Sequence, residues 1–294
     1  MELVNTWLPY ILAGISAGGQ YALIAIGYTM VYGILRLINF AHGDVFMWSG
    51  LIMIYLITVL PVWASIIIVI AFAIILGTTI ERVAYRPLRN APRMSVMISA
   101  IGVSYFLQNI ALYVTGGLTK TYPSIPWLQK TVDIGSATTK MVTIITPILT
   151  IVLVILLVLL IKKTKIGMAM RAVSRDFETS SLMGIDINKV ITVTFVIGCF
   201  LAAIGSVLFF SNYTGVSPTS GGMPGLKAFV AAVFGGIGSI PGAVVGAFVI
   251  GICENIIKGA GWTTFSDAFT FVLLIIILMV KPTGLFGEKN IDKV

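Results

Sequence analysis

The sequence predicts an all-α protein, a polytopic membrane bundle of about eight transmembrane helices with broken or re-entrant segments. Only 10% of its 294 residues are charged, and the mean hydropathy is +1.04. Soluble domains usually carry about 25% charged residues, so this composition is typical of a chain whose outer surface faces lipid. At about 20 apolar residues per span, the length holds roughly seven to nine crossings.

Long uncharged runs place the individual spans. The run 45–80 is too long for one crossing, and Pro61 is expected to divide it. The N-terminal run has no Lys or Arg before Arg36, so it lacks the basic start of a cleaved signal peptide and is predicted to remain as a span. The predicted spans lie near 9–31, 38–59, 63–80, 95–115 and 142–161, within the uncharged run 190–226, and near 259–280.

The hydrophilic loops predict the orientation. Loops 81–93 and 162–189 hold ten of the 19 basic residues, and cytoplasmic loops of membrane proteins are enriched in Lys and Arg. Loops 116–140 and 212–225 then lie outside, with the N-terminus outside and the C-terminus in the cytoplasm. These short loops explain the formal net charge of +8, so the charge does not indicate a nucleic-acid partner. The predicted partner of the outer surface is membrane lipid.

Two stretches interrupt the apolar pattern. Glycines and a proline make residues 226–257 a poor interior for one straight helix, so either two crossings meet there or a short re-entrant helix precedes a full span. Residues 38–44 form the second interrupted stretch. Freed backbone at membrane depth is tolerated only against protein or a water-filled cavity, and paired broken segments indicate a transporter's binding region. We expect Gly236 and Gly242 to tolerate leucine far less well than Gly251, in the following helix.

The candidate pathway residues come from these two stretches. His42 and Asp44 lie near a span, where they either contact substrate or have a structural, gating or helix-capping role. Asn39 is suited to satisfying backbone groups of the broken helix. Lys227 begins an apolar run and is also compatible with a lysine that snorkels to the interface. The full set is Asn39, His42, Asp44, Lys227, Gly235, Gly236, Gly238, Pro241 and Gly242.

A charged pair in the last third of the chain has a plainer interpretation. Glu254 and Lys258 are four residues apart, in the order that favours an ion pair along one helix. We assign this pair no transport role.

Three segments resemble one known family. YALIAIGYTMVYG at 21–33, followed by INFAHG at 38–43, resembles the N-terminal signature of LivH-type branched-chain amino acid permeases. KAFVAAVFGGIGSIPGA at 227–243 resembles the late signature of the same family. The order, spacing and total length also agree, so the resemblance covers nearly the whole chain.

The third segment lies in the basic loop 162–189. Residues 168–183 are predicted to form one short helix with Ala169, Val173 and Phe177 on one face, ended by Gly184. From its residues alone, this helix fits one that lies on the inner leaflet. It also resembles the coupling helix by which such permeases dock onto their ATPases, although Thr179 and Ser180 stand where the family commonly has two alanines. The predicted coupling residues are Arg171, Arg175, Asp176, Phe177, Glu178, Met183 and Gly184.

The resemblance implies the membrane-spanning permease subunit of an ABC importer for leucine, isoleucine and valine in a bacterial inner membrane. It implies a homologous second permease subunit, two cytoplasmic ATPase subunits and an extracytoplasmic substrate-binding protein as partners. We expect one permease domain over 1–294, with the coupling loop at 162–189. Alternatives are the same architecture importing urea, short amides or other amino acids, and a secondary carrier or channel.

Motifs for catalysis are missing from the sequence. It contains no Gly-x-x-x-x-Gly-Lys-Ser/Thr loop, so we expect ATP to be bound by the partner subunits and no cofactor by this chain. It contains no His-Glu-x-x-His and only one histidine, which argues against a zinc site, and no Gly-x-Ser-x-Gly elbow. The sequence therefore predicts a non-catalytic subunit without catalytic or metal-binding residues.

Overall fold

The computed structural model describes residues 2–89, 91–134 and 137–287 and is mainly helical. Within these ranges the helices are α1 (Glu2–Leu35), α2 (His42–Leu56), α3 (Val62–Ile80), α4 (Arg93–Thr115), α5 (Pro126–Gln129), α6 (Met141–Lys163), α7 (Lys165–Arg175), α8 (Phe177–Leu182), α9 (Ile187–Asn212), α10 (Gly222–Gly235), α11 (Ile240–Gly259) and α12 (Ser266–Val280). The strands β1 (Lys120–Thr121), β2 (Thr131–Ile134), β3 (Ala137–Lys140) and β4 (Gly215–Val216) form two antiparallel pairs, β1 with β4 and β2 with β3.

Seven helices in the described part of the chain are long and apolar enough to cross a bilayer. They are α1, α3, α4, α6, α9, α11 and α12, with α3 extended by a π turn at Glu81–Tyr85 and α12 preceded by a 3-10 turn at Thr263–Phe265. The helical membrane bundle is therefore confirmed. Two further apolar helices, α2 and α10, are too short to cross. They have 15 and 14 residues, which corresponds to about 21–23 Å against the roughly 30 Å of a bilayer core.

The predicted span 38–59 was wrong in its bounds. Arg36 has a φ of +56°, which ends α1, and α2 begins only at His42. At the other end, α2 stops at Leu56, and Pro61 then precedes α3 with a φ of −63°. A proline is tolerated at a helix start because its missing N–H would have no partner there. The predicted division at Pro61 is confirmed.

Contacts between loops define the two ends of the bundle. Arg89 Nη1 donates to Asn188 Oδ1 at 2.9 Å, which joins loops 81–93 and 162–189 at what we call the basic end. At the other end, Lys120 pairs with Val216, which joins loops 116–140 and 212–225. The predicted grouping of the four loops is confirmed. We call the end that holds loops 116–140 and 212–225 the opposite end.

Glycines bring α1 and α11 into close contact. A Cβ on Gly18 would lie 2.7 Å from the Cα of Phe248, and a Cβ on Gly14 would lie 2.8 Å from the Cα of Ile252. A Cβ on Gly251 would overlap the backbone of Gly18. The expectation that Gly251 tolerates leucine was therefore wrong, because small residues here let two backbones touch, as at many membrane helix interfaces.

The two short helices begin beside each other inside the bundle. A Cβ on Gly221, which precedes α10, would overlap the carbonyl oxygen of Gly43 in the first turn of α2. Since α2 leads through Pro61 into α3, it runs towards the opposite end, whereas α10 runs towards the basic end. Both starts lie against Tyr28 in α1, so each interrupted stretch supplies part of one central region.

Candidate translocation pathway and coupling loop

The break between α10 and α11 has an identifiable local cause. Gly236 and Gly238 have φ values of +106° and +97°, a backbone conformation that residues with a Cβ rarely adopt. Ser239 then caps α11, since its Oγ accepts a hydrogen bond from Gly242 N at 3.2 Å, and Pro241 occupies the first turn. The structure thus has a short helix, a tight turn and a full span, which is the re-entrant alternative.

Backbone approaches backbone throughout this turn. A Cβ on Gly235 would overlap the carbonyl of Gly242, and a Cβ on Gly242 would overlap the carbonyl of Gly235. The segment after α12 covers the turn, because Leu285 N donates to Phe234 O at 3.0 Å and Phe286 N donates to Gly235 O at 2.9 Å. These bonds satisfy carbonyls that a helix end leaves free. The close backbone approach expected at Gly236 and Gly242 is confirmed.

His42 lies in an aromatic cluster where the two short helices begin. Its ring centroid is 5.1 Å from that of Tyr28, which in turn lies 6.1 Å from Phe229 of α10. A Cβ on Gly27 would overlap the imidazole, so this glycine makes room for it. The His42 side chain is buried in packing between α1 and α2. We call Tyr28, His42 and Phe229 the aromatic plug.

Asn39 and Asp44 have side-chain partners from other helices. Tyr85 donates its hydroxyl hydrogen bond to Asn39 Oδ1 at 2.8 Å. This oxygen of Asn39 is therefore bonded to a side chain and not to the backbone of the broken helix. Gln108 Nε2 donates to Asp44 Oδ1 at 3.0 Å. Asp44 Oδ2 and His42 Nε2 are buried and have no hydrogen-bond partner among the described residues. Two ionisable side chains, each with one atom that makes no hydrogen bond to the described residues, therefore lie where α2 and α10 meet.

A cleft of about 350 Å³ opens on the opposite-end side of the plug. Its walls are formed by the ends of α9 and α11 and the starts of α10 and α12. Aromatic and apolar side chains line one part, and charged or hydroxyl-bearing ones the other. The apolar part includes Phe209, Phe210, Tyr213, Met223 and Pro224, and the polar part includes Tyr21, Lys227, Glu254, Lys258 and Asp267.

Lys227 lies at the polar side of this cleft and does not snorkel. Only 6% of its surface is exposed, and its Nζ lies 2.8 Å from Glu254 Oε1 and 2.6 Å from Asp267 Oδ1. The snorkelling interpretation was wrong because residue 227 faces a neighbouring pair of helices, where two carboxylates neutralise it.

Glu254 connects this lysine to two further helix positions. It accepts from Tyr21 Oη at 3.0 Å, and it forms the predicted ion pair with Lys258. The ion pair is confirmed, but sequence reasoning missed Tyr21, Glu254 and Asp267 as parts of one cluster. The sequence does contain a signal for Asp267, since it is the single charged residue in the run 259–280.

A second cavity, of about 10 Å³, lies on the other side of the plug. Tyr28 and Phe229 line it, together with Tyr32 of α1 and Ala232 of α10. The cleft and this cavity thus follow the same two helices, one on each side of the plug.

The basic loop contains two helices where one was predicted. Asp176 has an extended φ of −156°, which separates α7 from α8. Its carboxylate caps α8 by accepting from Glu178 N at 2.9 Å and from the Thr179 hydroxyl. The hydrogen bonds from Thr179 hold the pKa of Asp176 below its usual range. Gly184 has a φ of +81° after α8, so its predicted role as a left-handed terminator is confirmed.

The predicted apolar face of this loop packs on the protein itself. Met170 and Val173 are buried, and Ala169 and Phe177 pack against the same core. The resemblance to a coupling helix implied that this apolar face docks into a groove on the ATPase. Val173 contradicts that expectation, because the protein's own core covers it, whereas Ala169 and Phe177 are only partly buried. The outward surface carries Leu182 and Met183, exposed at 87% and 78%, beside the exposed charges Arg171, Arg175 and Glu178.

Comparison with known proteins gives the family. The family described as "Branched-chain amino acid transport system / permease component" matches residues 10–278. The chain belongs to this permease family. Similar proteins include the LivH permeases of Salmonella typhimurium strain LT2 and Escherichia coli strain K12, each 40% identical over 98% of both chains. The BraD permease of Pseudomonas aeruginosa is 39% identical over 100% of both chains.

The full names of these relatives describe high-affinity branched-chain amino acid transport system permease proteins. The chain is accordingly a multi-pass membrane permease, one component of a transport system. Both signature segments found in the sequence fall inside the matched region.

A buried acid in the permease also escaped sequence reasoning. Glu81 has no exposed surface, accepts from the Thr192 hydroxyl at 3.2 Å and lies 3.7 Å from Arg89. Because Arg89 in turn reaches Asn188, this group connects α3 to the start of α9 next to the basic loop. Glu81 precedes a cluster of arginines in the sequence and there resembles an ordinary loop residue.

The cap at Asp176 supplies a testable expectation for the permease. Asp176→Ala removes the acceptor for two amides of α8, so amide hydrogen exchange over 177–183 should accelerate. Asp176→Asn keeps an acceptor and should stay close to the parent. Because the pKa is lowered in the folded state, the cap is fully formed above the ordinary value of about 3.9 and is lost only as the pH falls below it. Equal exchange in all three proteins at neutral pH would contradict the capping role.

Proposed function

We propose that this permease is the membrane-spanning subunit of an ABC importer that translocates leucine, isoleucine and valine. The observation that carries the proposal is the 40% identity over 98% of both chains with permeases named for branched-chain amino acids. The cleft at the opposite end supports it, since it presents charges of both signs beside an apolar wall.

The proposed complex contains partners that supply delivery and energy. A substrate-binding protein releases the amino acid into the cleft at the opposite end, which faces outside. Two cytoplasmic ATPase subunits dock at the basic end, and a homologous second permease subunit completes the translocation unit. ATP is bound by the ATPase subunits. The proposed location is the bacterial inner membrane, with the N-terminus outside and the C-terminus in the cytoplasm.

Transport in this complex depends on the aromatic plug. ATP binding and the loaded binding protein each favour one conformation, which is what a ligand needs in order to shift an equilibrium. The loop at 162–189 passes the movement of the ATPases to α9 and α6, to which it is directly joined. Separation of Tyr28 from Phe229 then connects the cleft with the cavity beside Tyr32.

Uptake by reconstituted vesicles tests this function. The permease is purified with its partner subunits and placed in vesicles with ATP on the ATPase side. We expect saturable uptake of radiolabelled leucine, with competition by isoleucine and valine, that requires both ATP and the loaded binding protein. Uptake driven by an ion gradient without ATPases would indicate a secondary carrier, and uptake of urea or a short amide that leucine does not inhibit would indicate a different cargo.

Thiol labelling tests the proposed orientation. In a protein without Cys199 and Cys253, a cysteine at Ser174 should resist a membrane-impermeant reagent in intact cells. A cysteine at Asp133, in the β2–β3 hairpin of the opposite end, should react. Asn90 was also predicted to face the cytoplasm, but it lies outside the described residues. Reaction at Ser174 from outside would overturn the orientation.

A further inference from the structure

Four charged side chains form a line of alternating sign at the base of the cleft. The order is Asp267, Lys227, Glu254 and Lys258, with ion pairs between each neighbouring two. The inner members are nearly covered, since the side chains of Lys227 and Glu254 are 8% and 2% exposed. The outer members are accessible, with Asp267 at 46% and Lys258 at 27%. The line therefore presents one carboxylate and one ammonium group to the cleft.

Helix packing alone does not explain this arrangement. Desolvating ionic groups is costly, and apolar side chains of similar volume hold helices together as well or better. Ionisable residues within membrane-spanning segments mark substrate pathways for this reason. The four residues come from α10, α11 and α12, and all four line the same cleft, so the cost is incurred where a ligand can enter.

We propose that this line of charges binds the head group of a zwitterionic α-amino acid. Asp267 receives the α-ammonium group, and Lys258 receives the α-carboxylate. Lys227 and Glu254 hold the two binding groups in place between them. The apolar wall at Phe209, Tyr213 and Met223 then contacts the aliphatic side chain. The site rests on the proposed function for its setting, but it specifies the amino-acid head group and not the branched chain.

The size of the cleft agrees with a small ligand. Its volume of about 350 Å³ lies at the low end of the roughly 300–1,000 Å³ of ligand pockets in proteins. The distribution of polarity also agrees, because such pockets combine an apolar lining with a few polar groups that fix the orientation. A ligand with one charge would contact only one of the two accessible ends of the line, Asp267 or Lys258.

Binding to the purified complex tests the site directly. The permease with its ATPase subunits, in nanodiscs and without binding protein, is titrated with radiolabelled leucine. Asp267→Asn and Lys258→Gln should each weaken binding by about tenfold or more, because each loses a hydrogen bond between charged groups. Asp133→Asn, which removes an exposed carboxylate at the same end, should bind like the parent.

Analogues that lack one charge test which group meets which residue. Leucinamide retains the ammonium group, so its affinity should be weakened by Asp267→Asn but little changed by Lys258→Gln. Isocaproate retains the carboxylate, so its affinity should show the reverse dependence. A cysteine at Ser220, which lines the cleft, should be protected from a water-soluble thiol reagent by leucine in the parent background and less well in either charge variant.

The outcomes separate the site from the proposed cargo. Variants that lower thermal stability while leaving leucine affinity unchanged would overturn the site and leave the charges as a structural link. Transport of leucine without any binding or protection at the cleft would also overturn it, while the importer assignment stands. Protection by other zwitterionic amino acids but not by leucine, isoleucine or valine would support the site and refute the proposed cargo.

Discussion

Leucine at Gly235 or Gly242 should abolish transport, whereas leucine at Gly102 should leave it close to the parent. Each of the first two positions would place a Cβ onto the backbone of the other, and the segment 284–287 closes the remaining side. Overpacking a tight core typically costs about 1–3 kcal/mol, and the nearest obstacles here are backbone atoms, which cannot rotate aside as a side chain can. We expect a loss of at least about tenfold in folded, transport-competent complex.

Gly102 is the matched control for this substitution. It lies within α4, and a Cβ there would meet no atom of the described residues within 4 Å. The measurement is the yield of monodisperse complex, followed by leucine uptake per complex in vesicles. Normal yield and uptake with leucine at Gly242 would mean that the α10–α11 turn is not held at backbone contact. Gly251→Leu belongs with the damaging substitutions, because it would separate α1 from α11.

Leu182→Asp and Met183→Asp should release the ATPase subunits without harming insertion. Both side chains are largely exposed at the basic end, where the proposed complex places its ATPase subunits. A charge there would have to be desolvated on docking. We expect the amount of ATPase that purifies with the permease to fall about tenfold or more, as for a residue at the centre of an interface.

Leu118→Asp controls for the change of an exposed leucine to aspartate. Leu118 is 66% exposed in the turn after α4, at the opposite end. Its variant should retain the ATPases and leucine-stimulated hydrolysis.

Gly184→Val tests the same loop through its backbone, since a β-branched residue strongly disfavours a φ of +81°. If all loop variants keep their ATPases and couple hydrolysis to transport, the loop is a passive interfacial segment.

Much of the bundle follows from the sequence because lipid imposes a simple rule. Uncharged runs of sufficient length gave the long spans, and the arginines and lysines gave the grouping of the loops. The turn at Gly235–Gly242 was also predictable, since Gly236 and Gly238 need positive φ and Pro241 suits a helix start. The length of α2 was not predictable, because the uncharged residues 57–60 continue the apolar pattern beyond the end of the helix.

The site was only partly predictable because its partners are distant in sequence. Lys227 was identified, but its carboxylates come from two later helices, and one-dimensional periodicity does not report which helices adjoin. The basic loop shows the same difficulty. Val173 was predicted to lie on the apolar face of a helix, but the sequence does not state whether its own protein, the membrane or a partner covers that face.

The glycine contact between α1 and α11 has a consequence for biosynthesis. The two helices also share the hydrogen bond from Tyr21 to Glu254, residues that are 233 positions apart. At about 5–20 residues per second, a ribosome needs on the order of ten seconds or more to supply the second helix after the first. During that interval Ser16 and Gln20, which are completely buried in the finished protein, lack the surroundings that cover them. α1 therefore waits for its main partner until α11 is made, and a chain that terminates before α11 leaves it without that partner.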